Sequence, residues 1–143
     1  MKSRISAMCA VLLAAASCVP VLSAQTQVHL KMQVPFAFQY GTMQFAPGLC
    51  QGDMPNPVIL RLTCGSHTVM KIAVYGTLPV TSRTSFAVFK KYGNRYFLEE
   101  IQLSDSHIKI IESQAERHAA RELLARGETP SLVEVALLKS LPR

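Results

Sequence analysis

Beyond residue 28, apolar and polar side chains alternate in one short run after another, the period-two pattern of half-buried strands. In 28–40, Val34, Phe36, Phe38 and Tyr40 share one parity, with Pro35, Ala37 and Gln39 between them. Pro35 has no N–H to give a ladder, so an edge, a bulge or a strand start is expected there. A short apolar stretch at 42–46 runs into Pro47-Gly48, a turn pair, and Leu49-Cys50-Gln51 opens the next strand. Residues 52–57 hold Gly52, Pro55 and Pro57 and read as a loop, with no room for a ladder. Residues 58–64 and 67–75 read as an antiparallel pair turned at Gly65-Ser66, and 76–84, with Pro79 and Arg83, as an interruption.

The strongest signal is 85–101, SFAVFKKYGNRYFLEEI. Rings at Phe86, Phe89, Tyr92, Tyr96 and Phe97 flank Gly93-Asn94, a two-residue hairpin corner in which Gly accepts positive φ without steric cost. Strict alternation puts Phe86, Val88, Phe97 and Ile101 on one face and Ala87, Phe89, Tyr96 and Leu98 on the other. A sheet that is apolar on both faces needs cover on both.

Ser104-Asp105-Ser106 reads as a turn and 107–111 as a short strand. A helix is predicted over 113–126, opened by a capping box of Ser113 and Glu116, rich in good helix formers and stopped by Gly127. Its apolar stripe is Ala115, Ala119 and Leu123, joined by Ala120 and Leu124. For 132–138, Val133 and Val135 around Glu134 favour a final strand, although Thr129-Pro130 would also suit a helix start. The expected fold is mainly β, an antiparallel sandwich or small barrel with one α-helix in the C-terminal half packed on it.

The first 24 residues are different in kind. Lys2 and Arg4 precede an uncharged apolar run over 5–22, then Ser23, Ala24 and polar Gln25-Thr26-Gln27, the order of a secretory signal peptide. Cleavage after Ser23 or Ala24 leaves a single β-rich domain over 25–143. Lipidation at Cys18 is the minority alternative, and no transmembrane span is expected in the mature chain. Loss of Lys2 and Arg4 lowers the basic residues from 15 to 13 against nine acids, so the net charge falls from +6 to +4. The charge is dispersed, which disfavours nucleic acid as a ligand.

Cys9 and Cys18 leave with the leader; Cys50 and Cys64 stay, and in an oxidising compartment a lone pair is most simply a disulfide. Neither belongs to a C-x-x-C pair, so zinc is disfavoured. The chain has no P-loop, dinucleotide glycine signature, H-E-x-x-H or nucleophile elbow, and no cofactor, metal or catalytic residue is assigned. His29, His67, His107 and His118 are scattered, and Ser104 to His107 is loop composition, because neighbours in a turn cannot relay a proton. Glu99-Glu100 would point to opposite faces of a strand and could answer Lys90-Lys91 across the hairpin.

The candidate binding surface is Lys90, Lys91, Tyr92, Asn94, Arg95 and Tyr96, rings among cations, suited to an anionic envelope polymer; the bland alternative packs the rings inward beneath lysine stems. Val34-Pro35-Phe36-Ala37-Phe38, Ala46-Pro47-Gly48, Leu60-Arg61-Leu62, the run from Val88 to Leu98, and Ser113-Gln114-Ala115-Glu116-Arg117 together resemble a family of small exported bacterial proteins, common in acidobacterial genomes. The family turn often continues Gly-Thr-Tyr where this chain has Gly48-Leu49-Cys50, so a Cys50–Cys64 link would be local to this protein. The resemblance implies export and a β-rich fold and supplies no activity.

The expectation is thus a secreted or periplasmic, non-enzymatic module that binds a protein or an anionic polymer. The alternatives are a hydrolase or metal-dependent enzyme assembled only in the fold, with His67 or His107 beside a carboxylate, and a lipid-binding barrel with an open interior.

Overall fold

The structure is a computed structural model, and it describes residues 28–77 and 84–138. The leader at 1–24 with Cys18, and the break around Pro79 and Arg83, lie outside the described residues. Ten strands and one helix follow in order: β1 (His29–Val34), β2 (Phe38–Tyr40), β3 (Met43–Phe45), β4 (Gly48–Asn56), β5 (Ile59–Cys64), β6 (His67–Thr77), β7 (Phe86–Tyr92), β8 (Arg95–Gln102), β9 (Ser106–Ile110), α1 (Gln114–Ala125) and β10 (Ser131–Leu138).

Eight of these strands close into an antiparallel barrel, in the order β8-β7-β10-β1-β4-β5-β6-β9, and β9 returns to β8. Closure leaves those strands no long free edge. The last strand, β10, lies between β7 and β1, so the ring cannot close without it.

The hairpin β2–β3 is not a barrel stave. It joins the N-terminal half of β8 in parallel, at Gln39 opposite Phe97, while the C-terminal half of β8 pairs β9. Phe38, Tyr40 and Phe45 of this hairpin join the same buried cluster as Met32, Leu60, Leu62, Phe89, Leu98 and Ile101 from the staves. The interior is therefore filled with side chains, each large one contributing ~1.5–3 kcal/mol by leaving water.

A second, smaller cluster lies outside the barrel wall. Ala119 and Leu123 of α1 cover Tyr92 and Phe97, with Ala115 and Ala120 at its margin. This is the second cover that the doubly apolar hairpin requires. Leu124, predicted on the same stripe, is 76% exposed, because the contact is narrow and the adjacent helix position faces solvent.

Three more expectations are corrected. The 52–57 segment is not a loop: β4 runs through it to Asn56, and Pro55 falls where the β4–β5 register shifts between Asp53 and Asn56. An irregular point in a ladder tolerates a missing N–H. The 76–84 interruption does not begin at Gly76, which is paired with His107 inside β6.

Ile101, placed with Phe97 by strict alternation, faces the interior opposite Ala87. Val88 pairs Glu100 and Phe89 pairs Leu98, leaving Glu99 as the extra residue of a β-bulge. One inserted residue reverses the parity of all that follows.

Ser113 caps α1 as expected, its side chain accepting from the Glu116 N–H at 3.1 Å. The reciprocal half of the box is replaced: the Glu116 carboxylate accepts instead from the Tyr92 hydroxyl at 3.3 Å. Gly127 ends the helix with φ at +70°, the left-handed conformation for which Gly is best suited.

Candidate functional site

The hairpin chemistry is divided by the pleat. Lys90, Tyr92, Arg95 and Phe97 face outward, since Tyr92 pairs Arg95 and Lys90 pairs Phe97; Lys91 pairs Tyr96 on the opposite side. Tyr92 is buried beneath α1. Tyr96 stacks on Phe36, with ring centres 4.0 Å apart, and the Lys91 ammonium lies 5.4 Å from the Tyr96 ring centre. Arg95 lies over Phe97 at 5.4 Å and donates to Gln39 Oε1 at 3.2 Å. Lys90 reaches Glu99 Oε1 at 3.3 Å, as the cross-strand charges suggested. The rings thus pack against protein, and lysine stems lie along them.

Burial works against the charged form of Lys90, but Glu99 and then Tyr92 more than offset it, holding the ammonium above its ordinary value. Burial first, then the Glu116 carboxylate, pushes the Tyr92 phenol up to about 12. Beside them is a cleft of about 390 Å³ between the start of α1 and the sheet, lined by Lys90, Glu99, Lys109, Glu112, Glu116 and apolar Val74, Ile110 and Ile111.

The four histidines lie on four different elements, and His118 pairs with Glu122 one helical turn on at 3.1 Å. His67 is exposed, with its Nδ1 3.4 Å from Ser66 Oγ. The His107 ring occupies the space beside Gly76 where a Cβ would stand, and its buried Nδ1 has no hydrogen-bond partner. Ser106 and His107 are consecutive in β9, so they point to opposite faces, and Ser106 donates to Asp105 Oδ1 at 3.0 Å. No group of three or more metal-ligating side chains occurs among the described residues. Cys50 and Cys64 are direct register partners, with Cα atoms 4.3 Å apart and their sulfurs bonded inside the barrel.

A larger concavity opens elsewhere, on the outer face of β1, β4, β5 and β6. It has a volume of about 750 Å³ and is lined by His29, Lys31, Gln51, Asp53, Arg61, Thr63 and Thr68, with Leu30, Gly52 and Pro55. Alternation explains its make-up: β1 buries every second residue and turns His29 and Lys31 outward, and β4 does the same with Gln51 and Asp53.

The register then aligns them. Lys31 faces Gln51, Gln51 faces Thr63, and Thr63 faces Thr68; in the next rung, His29 faces Asp53 and Asp53 faces Arg61. Arg61 grips Asp53 through Nε at 2.9 Å and through Nη2, and this bonding holds the guanidinium still more firmly in its charged form. The Thr63 and Thr68 hydroxyls lie 2.9 Å apart. Lys31 and Arg61 against Asp53 leave one net positive charge, and no Phe, Tyr or Trp is among the residues that line the hollow.

The sequence offered no local sign of this trough, because its polar members are spread over 40 positions and only strand register joins them. What the molecule defines as a class is an eight-stranded antiparallel barrel with a filled interior and an external helix. No protein family matches the chain, and neither the curated proteins nor the solved structures include a match.

Proposed function

We propose that this protein is an exported, non-catalytic module of the bacterial envelope or extracellular space, and that it binds an anionic polymer in the β1-β4-β5-β6 trough. The observation that carries this reading is the trough itself: a wide polar hollow rimmed by Lys31, Arg61 and His29, with hydrogen-bonding Gln51, Thr63 and Thr68 on its floor. The signal-peptide pattern, the resemblance to small exported bacterial proteins and the Cys50–Cys64 bond support export.

The lack of Phe, Tyr and Trp among the lining residues favours a carboxylated or phosphorylated polymer over a single-stranded nucleic acid, whose binding draws on stacking against such rings as well as on charge. The filled barrel weighs against the lipid-binding alternative, and the His107 geometry against the enzyme. The hairpin remains a secondary surface through Lys91 and Arg95.

Retention of the oxidised 25–143 chain on immobilised polygalacturonate and on neutral dextran is the test. Acid-selective, salt-sensitive retention that falls on Lys31→Glu is expected. Equal retention on both matrices would refute the reading. Loss with Lys91→Ala but not Lys31→Glu would move the site to the hairpin.

A further inference from the structure

Resting on the trough as the binding surface, we infer that its ligand is an extended acidic polysaccharide that crosses the strands at right angles, one sugar ring per strand. Lys31, Gln51, Thr63 and Thr68 form an unbroken row of direct register partners over β1, β4, β5 and β6. Neighbouring strands are ~4.7–4.9 Å apart, so the row repeats at that interval. This is close to the length that one pyranose ring adds to an extended polysaccharide. A ligand running along a strand would meet outward side chains only at every second residue, about 6.6–6.8 Å apart, a poorer match.

The chemistry of the row suits such a chain. The Lys31 ammonium meets a carboxylate at one end. The Gln51 amide both donates and accepts, matching vicinal hydroxyls. The Thr63–Thr68 hydroxyl pair uses one donor internally and keeps a second donor and several lone pairs for the ligand. Alongside, the Asp53–Arg61 pair forms a wall: two guanidinium N–H groups are committed to Asp53, and the others remain for ring or carboxylate oxygens. With one positive charge in excess and a single carboxylate already paired, the trough attracts acidic rings and gives neutral ones only the hydrogen bonds.

The experiment is titration calorimetry of the 25–143 chain with oligogalacturonides of two to six rings and with neutral cello-oligosaccharides of the same lengths. Affinity should rise with each acidic ring up to four and then level off. Thr63→Val with Thr68→Val, which keeps two β-branched residues on exposed strand positions, should lower tetramer affinity about tenfold to the dimer's level and leave the dimer unchanged. Melting temperatures of the variants establish that they are folded.

Binding that is already complete at two rings, or that climbs steadily to six, overturns the crossing geometry while acid-selective binding itself survives. Insensitivity of the tetramer to the two Val substitutions does the same. No binding of any acidic oligomer overturns both this inference and the function on which it rests.

Discussion

The Tyr40 hydroxyl donates to the backbone carbonyl of Leu60 at 2.9 Å, across 20 residues of sequence. This bond ties the β2–β3 hairpin, anchored at its other side to β8, to stave β5. Burial lifts the phenol above its ordinary range, so it stays a donor. The hairpin is thereby a plug held at two walls, its Phe38, Tyr40 and Phe45 packed into the buried cluster of the staves.

Tyr40→Phe keeps the ring and leaves the Leu60 carbonyl short of a donor. A loss of about 1–2 kcal/mol is expected in urea unfolding. Tyr40→Ala also empties a buried site and should cost ~3–5 kcal/mol. Equal stability of Tyr40→Phe and wild type would show that the bond contributes nothing.

Leu123 and Leu124 are adjacent but unequal: Leu123 is 5% exposed against Tyr92 and Phe97, and Leu124 is 76% exposed. Leu123→Ala should destabilise by about 2–3 kcal/mol, and Leu124→Ala by less than ~0.5 kcal/mol. Thermal unfolding of the two variants compares them directly, and the reverse order would mean that α1 is rotated from the position described.

A methyl group added at Gly76 would meet His107 Cε1 at 2.4 Å and Nε2 at 2.9 Å. Gly76→Ala must displace the ring from its seat and should cost ~1–3 kcal/mol. His107→Ser should relieve most of that penalty, so a double-mutant cycle should give a coupling well above 0.5 kcal/mol. Additive effects would exclude a steric origin.

Glu116 is buried at the first turn of α1, facing Tyr92 and Lys90 of β7 and Lys71 of β6, with Glu112 just before the helix. Burial first, and Glu112 second, raise its carboxyl above the ordinary 4.5, while Tyr92, Lys90 and Lys71 pull the other way. The folded state therefore binds this proton more tightly than the unfolded chain. Its contribution is fully present below pH 4.5 and is lost as pH rises through the raised value. Glu116→Gln removes this titration, so the variant should gain on wild type as pH rises from below 4.5 through the raised value of the buried carboxyl. Parallel stability–pH curves would sink the assignment.

Cys50 and Cys64 close a segment with a sequence separation of 14. Reduction, or Cys50→Ala with Cys64→Ala, should cost ~3 kcal/mol through the greater freedom of the unfolded chain. Thiol titration before and after denaturation, beside urea curves with and without reductant, checks both the bond and its worth.

Much of the fold was legible because the signals were local. The Gly93-Asn94 corner, the Gly65-Ser66 turn, the Ser113 cap and the Gly127 stop each depend on residues within one turn, and each is where it was expected. The errors lie where a neighbouring strand overrides local preference. Pro55 remains in β4 because the ladder shifts there, Gly76 remains in β6 because His107 needs its bare backbone, and Glu99 bulges and carries Ile101 inward. The aromatic-basic cluster around Lys90 to Tyr96 was easy to see in the sequence, yet the pleat and α1 separate its members. The trough was invisible for the opposite reason, since His29, Lys31, Gln51, Asp53, Arg61, Thr63 and Thr68 are unremarkable until four strands are aligned.

By itself the amino-acid order determined most of the extended segments, the helix over 113–126 and the main turns, and it offered Cys50 and Cys64 as a pair. Side-chain period, caps and glycine freedom act over a few residues, and the chain carries that information wherever it goes. Only the tertiary structure decided that the strands close as a barrel, that β10 completes it, that β2–β3 fills it and that a polar row crosses four outer strands. Those outcomes depend on register between distant segments, and register is set by packing many side chains at once.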